Sequence, residues 1–163
     1  MMPGFTPLGL SWKEQAKYCM RANRPGWAQQ VREGDILVGG RNFGIGSSRP
    51  AARILKELGL ACLVADEVNS LMFRNCINWG LPALSCKGVS KLFVEGDTAE
   101  VDLKAATVVN RRTGQILQGS AIEDVLLNIV SAGGLVPILV REGYIRVLKN
   151  RSSKSTAVSC EGH

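Results

Sequence analysis

With 163 residues, 45% of them apolar and 21% charged, the chain is long enough to bury one sizeable core, which excludes a fibrous or wholly disordered polypeptide and points to a single globular domain. No apolar run approaches the ~18–20 residues of a membrane-spanning helix, and the N-terminus lacks a basic region followed by an apolar signal core, so no membrane partner and a cytoplasmic location are expected. The net charge of +6 is unevenly placed: residues 145–163 carry Arg146, Lys149, Arg151 and Lys154 against Glu161 alone, which reads as a solvated basic tail and argues against a nucleic-acid-binding face.

Residues 1–10 contain two prolines and two glycines and show no periodicity. A helix is expected over residues 11–23, capped by Ser11 with Glu14 three positions on, and ended by Pro25-Gly26. Asp35-Ile36-Leu37-Val38 reads as an apolar strand, residues 51–58 as an amphipathic helix closing at Gly59, and residues 60–65 as a short, continuously apolar, buried strand. Strand, helix, strand implies a right-handed parallel crossover. A second helix over 70–78 leads to a short strand at 83–85. From residue 89 the character changes: 98–103 alternates, and 107–110 and 115–118 flank Arg111-Arg112-Thr113-Gly114 as a hairpin with glycine at the tight position. Ser120-Ala121-Ile122-Glu123 has the capping-box pattern and opens an apolar helix that stops at Gly133-Gly134. A last strand is expected over 135–140, and residues 150–156 lack the apolar content needed to offset the entropy of ordering.

Between the first strand and its helix lies Gly39-Gly40-Arg41-Asn42-Phe43-Gly44-Ile45-Gly46-Ser47-Ser48-Arg49-Pro50. A glycine-rich loop running into a helix N-terminus suits an anion, because unpaired backbone N–H groups and the positive end of the helix dipole face it. Arg49 adds a full cation beside two hydroxyls, and Pro50 fits the first helical position, where the N–H it lacks would have no partner. A P-loop is set aside, since no Gly-Lys-Ser/Thr closes the stretch. A dinucleotide-binding module is the reading of a different class: Gly44-x-Gly46 is followed about twenty residues on by Asp66, placed where a ribose-binding acid would belong. Its third glycine is Arg49, which would crowd the helix–strand packing that glycine permits.

The longer pattern Gly-Arg-Asn-Phe-Gly-x-Gly-Ser-Ser-Arg resembles the signature of the aconitase superfamily swivel domain, most closely the small-subunit family of isopropylmalate isomerase. Phe73-Arg74-Asn75-Cys76-Ile77-Asn78-Trp79-Gly80-Leu81-Pro82, Glu95-Gly96-Asp97 with Glu100-Val101-Asp102, and Ser131-Ala132-Gly133-Gly134-Leu135 are similar to later blocks of that family, in the same order. The resemblance implies an α/β fold, a swivelling β/β/α domain with a mixed parallel and antiparallel sheet or barrel-like core flanked by helices, over residues 1–145; composition leaves 146–163 as a basic, disordered tail. The family's Asp-Thr-Asp type motif is not visible in the first thirty residues, so the chain either starts late relative to the family or diverges there.

The resemblance further implies a hydro-lyase acting on a hydroxy-dicarboxylic or hydroxy-tricarboxylic acid: 3-isopropylmalate in leucine biosynthesis, homoaconitate, or a citramalate-type substrate. It assigns the catalytic base to Ser47 and substrate binding to Ser48, Arg49 and Gly46, while Asn42 and Gly44 shape the loop. Arg74 is either a solvated helix-face charge or a supporting residue of the site or of a subunit interface. The Lewis acid would be a [4Fe-4S] cluster held by a separate large subunit. In this chain the five cysteines are scattered, no Cys-x-x-Cys occurs and the single histidine is His163, so no metal-ligand set is expected. The family most often continues with Glu-His-Ala where this chain has Pro50-Ala51-Ala52.

Overall fold

A computed structural model describes residues 9–46, 50–149 and 156–159. In chain order the elements are α1 (Trp12–Ala16), α2 (Trp27–Gln30), β1 (Ile36–Gly39), α3 (Ala51–Glu57), β2 (Cys62–Ala65), α4 (Ser70–Trp79), β3 (Ala83–Ser85), α5 (Val89–Leu92), β4 (Ala99–Asp102), β5 (Thr107–Asn110), β6 (Ile116–Gln118), α6 (Asp124–Ser131), α7 (Leu135–Arg141), β7 (Arg146–Lys149) and β8 (Thr156–Ser159).

The parallel half is a three-stranded sheet in the order β1-β2-β3, with Ile36 opposite Cys62 and Leu63 opposite Ala83. Because successive side chains of a strand point to opposite faces, β2 serves two cores. Leu63 and Ala65, with Ala83 of β3, join Ala52, Ile54 and Leu55 of α3 and Met72 and Cys76 of α4. Cys62 and Val64, with Leu84, join Val89, Ala106 and Val108 on the other side. The second face is covered by an antiparallel sheet of order β4-β5-β6. The parallel and antiparallel halves are thus separate sheets packed into layers: helices, parallel sheet, antiparallel sheet. Ser120 N–H donates to the Ser85 carbonyl at 2.8 Å and joins the two halves.

Asn110 pins the β5–β6 turn. Fully buried, it donates to the Leu92 carbonyl (2.8 Å) and the Asp97 carboxylate (2.9 Å) and accepts from the Arg112 N–H at 2.9 Å. Arg112 in turn pairs with Asp97. This satisfies a buried amide that would otherwise cost ~1–3 kcal/mol.

Several local expectations are corrected. The Ser11–Glu14 capping box is formed, yet the first helix ends at Ala16 rather than near residue 23. Residues 17–23 continue as turns because Met20 has φ +60°, which a right-handed helix cannot contain. Pro50 is the N-cap of α3, one position before the helix. No side chain of the Ser120–Glu123 stretch caps α6, whose N-cap is Glu123; the Ser120 backbone is engaged by β3. The expected strand at 135–140 is the helix α7, with Pro137 in the first turn, where its missing N–H removes no intrahelical bond. Of the tail expected over 146–163, residues 146–149 and 156–159 are the paired strands β7 and β8, while residues 150–155, the centre of the expected structureless run, lie outside the described residues. No single helix among the described residues is long and apolar enough to cross a membrane; α6 and α7 together are, by length and composition, but meet at 83°.

The helical layer closes where the ends of α4 and α6 meet. Gly80, the left-handed C-cap of α4, lies so close to Gly133 that an added Cβ would sit 2.2 Å from its carbonyl carbon. Lys56 donates to both adjacent carbonyls, Trp79 O at 2.8 Å and Gly133 O at 3.1 Å, placing a cation on two helix C-termini. Gly133 itself has φ +87° but open space beyond a contact at 3.9 Å. Gly80→Ala is therefore expected to destabilise the chain by about 3 kcal/mol or more in urea unfolding. Gly133→Ala is expected to cost only the left-handed backbone penalty of about 1–2 kcal/mol.

Candidate functional site

The loop leaving β1 folds back over the C-terminal edge of the parallel sheet, the edge at which open α/β sheets bind ligands. Gly39 makes this possible, because a Cβ there would meet the Phe43 ring at 2.5 Å. Phe43 N–H donates to Glu67 O at 2.8 Å and Phe43 O accepts from Asn69 N–H at 2.9 Å, forming a parallel bridge with Val68. Asn42 has φ +53°, and its Oδ1 accepts from Asn69 Nδ2 at 3.0 Å. Gly44 has φ +89° and faces Met72, whose Cβ and Cγ would lie 2.5 Å from any Cβ added to it. Residues 42–44 are therefore fixed to the segment that opens α4.

Ile45 and Gly46, which follow, are exposed. Ile45 is 66% exposed, and a Cβ on Gly46 would meet nothing within 4 Å. Ser47, Ser48 and Arg49 lie outside the described residues, and the chain is taken up again at Pro50. Arg74, in the second turn of α4, is exposed, with no ion pair among the described residues. Arg41, Lys87 and Lys91 are exposed at the same edge, against Glu67 and the half-buried Asp66. Such a surplus of positive charge favours the approach of a carboxylate or phosphate.

Sequence reasoning did not single out Asn69 or Met72. The only signal was an asparagine immediately before an apolar run, the usual N-cap position; its second role, across to Asn42, joins residues 27 apart.

Asp66 has a different task from the one a dinucleotide site requires. Its Oδ1 accepts the Gly88 and Ser90 N–H groups, each at 3.0 Å, and its Oδ2 accepts the Ser90 hydroxyl at 2.5 Å. The carboxylate is committed to the turn that opens α5, and these bonds, the Ser90 hydroxyl first, hold it below the ordinary carboxylate range. Cys19, Cys62, Cys76 and Cys86 are all buried free thiols. Burial pushes Cys19 up to about 11 and Cys62 and Cys76 up to about 12. They are poor thiolate donors, and no group of three or more potential ligands that could hold a metal ion exists among the described residues. Because Asp66 titrates lower in the folded chain than in the unfolded one, its stabilisation is complete above the unfolded value of about 4 and is lost as pH falls through the folded value. Asp66→Asn should accordingly be less stable than wild type at neutral pH, and chemical denaturation at a series of pH values should show the gap closing below about pH 4.

No family model matches the chain. Individual proteins do. It is 40% identical over 131 residues to the isopropylmalate/citramalate isomerase small subunit of Methanocaldococcus jannaschii, covering 80% of this chain and 78% of that one. It is 43% identical over 132 residues to 3-isopropylmalate dehydratase small subunit 1 of Methanopyrus kandleri, with the same coverage. Its fold is similar to the crystal structure of 3-isopropylmalate dehydratase from Methanocaldococcus jannaschii, with a TM-score of 0.79 and 30% identity over 86% of this chain and 84% of the other. A loop of this composition at the edge of a parallel sheet, in a chain with these relatives, means that the protein belongs to the family of 3-isopropylmalate dehydratase small subunits.

Proposed function

We propose that the chain is the small subunit of a hydro-lyase that interconverts 3-isopropylmalate and 2-isopropylmalate by dehydration and rehydration, as in leucine biosynthesis, in the cytoplasm. The observation that carries this reading is the loop itself. The loop is anchored at the C-terminal edge of the parallel sheet through Asn42, Phe43 and Gly44 and leads through Ile45 and Gly46 into Ser47-Ser48-Arg49, in a chain whose relatives are named small subunits of this dehydratase. The name of one relative couples isopropylmalate with citramalate, so a citramalate-type acid is the second substrate to assay.

Dehydration needs a base for a weakly acidic C–H, cations for the carboxylates and a Lewis acid for the departing hydroxide. Ser47 takes the proton. A serine hydroxyl is far too weak an acid to ionise unaided, and the Arg49 guanidinium with the loop's backbone N–H groups favours its alkoxide. Arg49 grips a substrate carboxylate through two parallel N–H donors, with Ser48 and the Gly46 N–H completing the contact, and Arg74 supports the positive edge. The four cysteines among the described residues, buried and dispersed between two cores, do not fit an iron–sulfur cluster. A [4Fe-4S] cluster on a large-subunit partner would supply the Lewis acidity. Pro50 in place of the family's usual glutamate leaves these roles intact, since neither that glutamate nor the following histidine is the assigned base.

The chain expressed and purified anaerobically by itself is expected to show no iron–sulfur absorbance and no hydro-lyase activity, and to become active when mixed with a cluster-bearing large subunit. Visible cluster absorbance in the isolated chain would sink this division of labour. In the reconstituted complex, with cluster content matched, Ser47→Ala should lower kcat by at least about a hundredfold while changing KM little, the signature of an interaction made in the transition state. Arg49→Lys should alter both parameters, because lysine cannot reproduce the planar fork. Hydration of the unsaturated intermediate is the assay. Near-normal turnover in Ser47→Ala would remove the base from the scheme.

A further inference from the structure

We infer that Asn69 is a positioning residue for the reaction: by bridging to Asn42 it fixes the loop that leads to Ser47 against the N-terminus of α4. This rests on the reading of Ser47 just given. Asn69 uses every part of itself differently. Its Oδ1 accepts the Leu71 N–H at 3.0 Å and caps α4. Its backbone N–H donates to Phe43 O at 2.9 Å, and its Nδ2 donates to Asn42 Oδ1 at 3.0 Å. One side chain therefore ties the start of a ten-residue helix to the turn of the loop.

The consequence for Ser47 follows from what is held and what is not. Asn42 is in the left-handed region, which asparagine enters more readily than most residues because its short side chain bonds locally. Here that side chain is turned to α4. Phe43 and Gly44 are fixed by the bridge to Val68 and by contact with Met72. Only the exposed Ile45 and Gly46 separate this anchored triplet from Ser47. The chain thus enters the Ser47–Arg49 segment from an anchor set by the Asn42–Asn69 bridge and leaves it at Pro50, at the start of α3. Since Arg74 stands on α4, the same bridge sets its distance from the loop. A catalytic group displaced by as little as ~1 Å loses a large part of its rate advantage.

The cap and the bridge are separable. Serine caps a helix about as well as asparagine and is too short to reach Asn42. Asn69→Ser should keep Tm within about 2 °C of wild type, accelerate amide hydrogen exchange at Phe43 and Gly44 about fivefold in the isolated chain, and lower kcat of the reconstituted complex about three- to tenfold with KM changed less than about twofold. Asn42→Ser should do the same, and the double variant should be no worse than either single one. Asn42→Asp should restore slow exchange at Phe43 and Gly44 in the isolated chain, because Asn69 Nδ2 can donate to a carboxylate as well as to an amide oxygen. Wild-type kcat in Asn69→Ser, or strictly additive losses in the double variant, would overturn the inference. If Ser47→Ala abolishes activity while Asn69→Ser retains it in full, this inference fails alone; if the wild-type complex has no hydro-lyase activity, the reading of the function fails and takes the inference with it.

Discussion

The fold depends on the four residues of β2 being buried on both faces. Burying a leucine or valine side chain contributes roughly 1.5–3 kcal/mol and a smaller one such as alanine less, and here consecutive residues deliver their contributions to opposite sides, Leu63 and Ala65 to the helices and Cys62 and Val64 to the antiparallel sheet. A strand used this way must be central and is best paired on both edges, which β1 and β3 provide in parallel. Parallel pairing requires crossovers, so α3 and α4 must run back across one face and every loop preceding a helix must collect at one edge.

That edge is where the polar loop residues gather, and topology is enough to gather them. The β1–α3 loop, the β2–α4 segment and the turn after β3 all emerge there, bringing Asn42, Asn69, Asp66 and Ser90 within one small region. They hold one another: Asn69 holds Asn42, and Asp66 holds the Gly88–Ser90 turn. The polar residues at this edge with bonds of their own form the frame, while the exposed cations Arg41, Arg74, Lys87 and Lys91 face outward. Separating frame from field in this way allows a glycine-rich loop to be accurate without being bulky.

The sequence made the parallel half legible because its signals were local and agreed with one another: short apolar runs bounded by glycine or aspartate, and helical spacing between them. The hairpin was equally plain from Arg111 to Gly114. What escaped had physical causes. Leu135 to Val140 is apolar without periodicity, and such a run carries no mark of helix against strand; Pro137, which looks like a breaker, is harmless in a first turn. The first helix stops early because of a backbone angle at Met20 that no neighbouring residue announces. The family motif around Ser47 was legible residue by residue, yet the contacts that hold its loop were not, since Asn42 with Asn69 and Gly44 with Met72 join positions nearly thirty residues apart.

The four buried thiols have a use unrelated to their present inertness. Cys19 and Cys76 belong to the core between helices and sheet, whereas Cys62 and Cys86 belong to the core between the two sheets. Each pair can meet an alkylating reagent only when its own layer parts, so the chain carries natural reporters on the two sides of a single sheet. The order in which they are labelled would show whether the layers separate together or one after the other, without a single engineered probe.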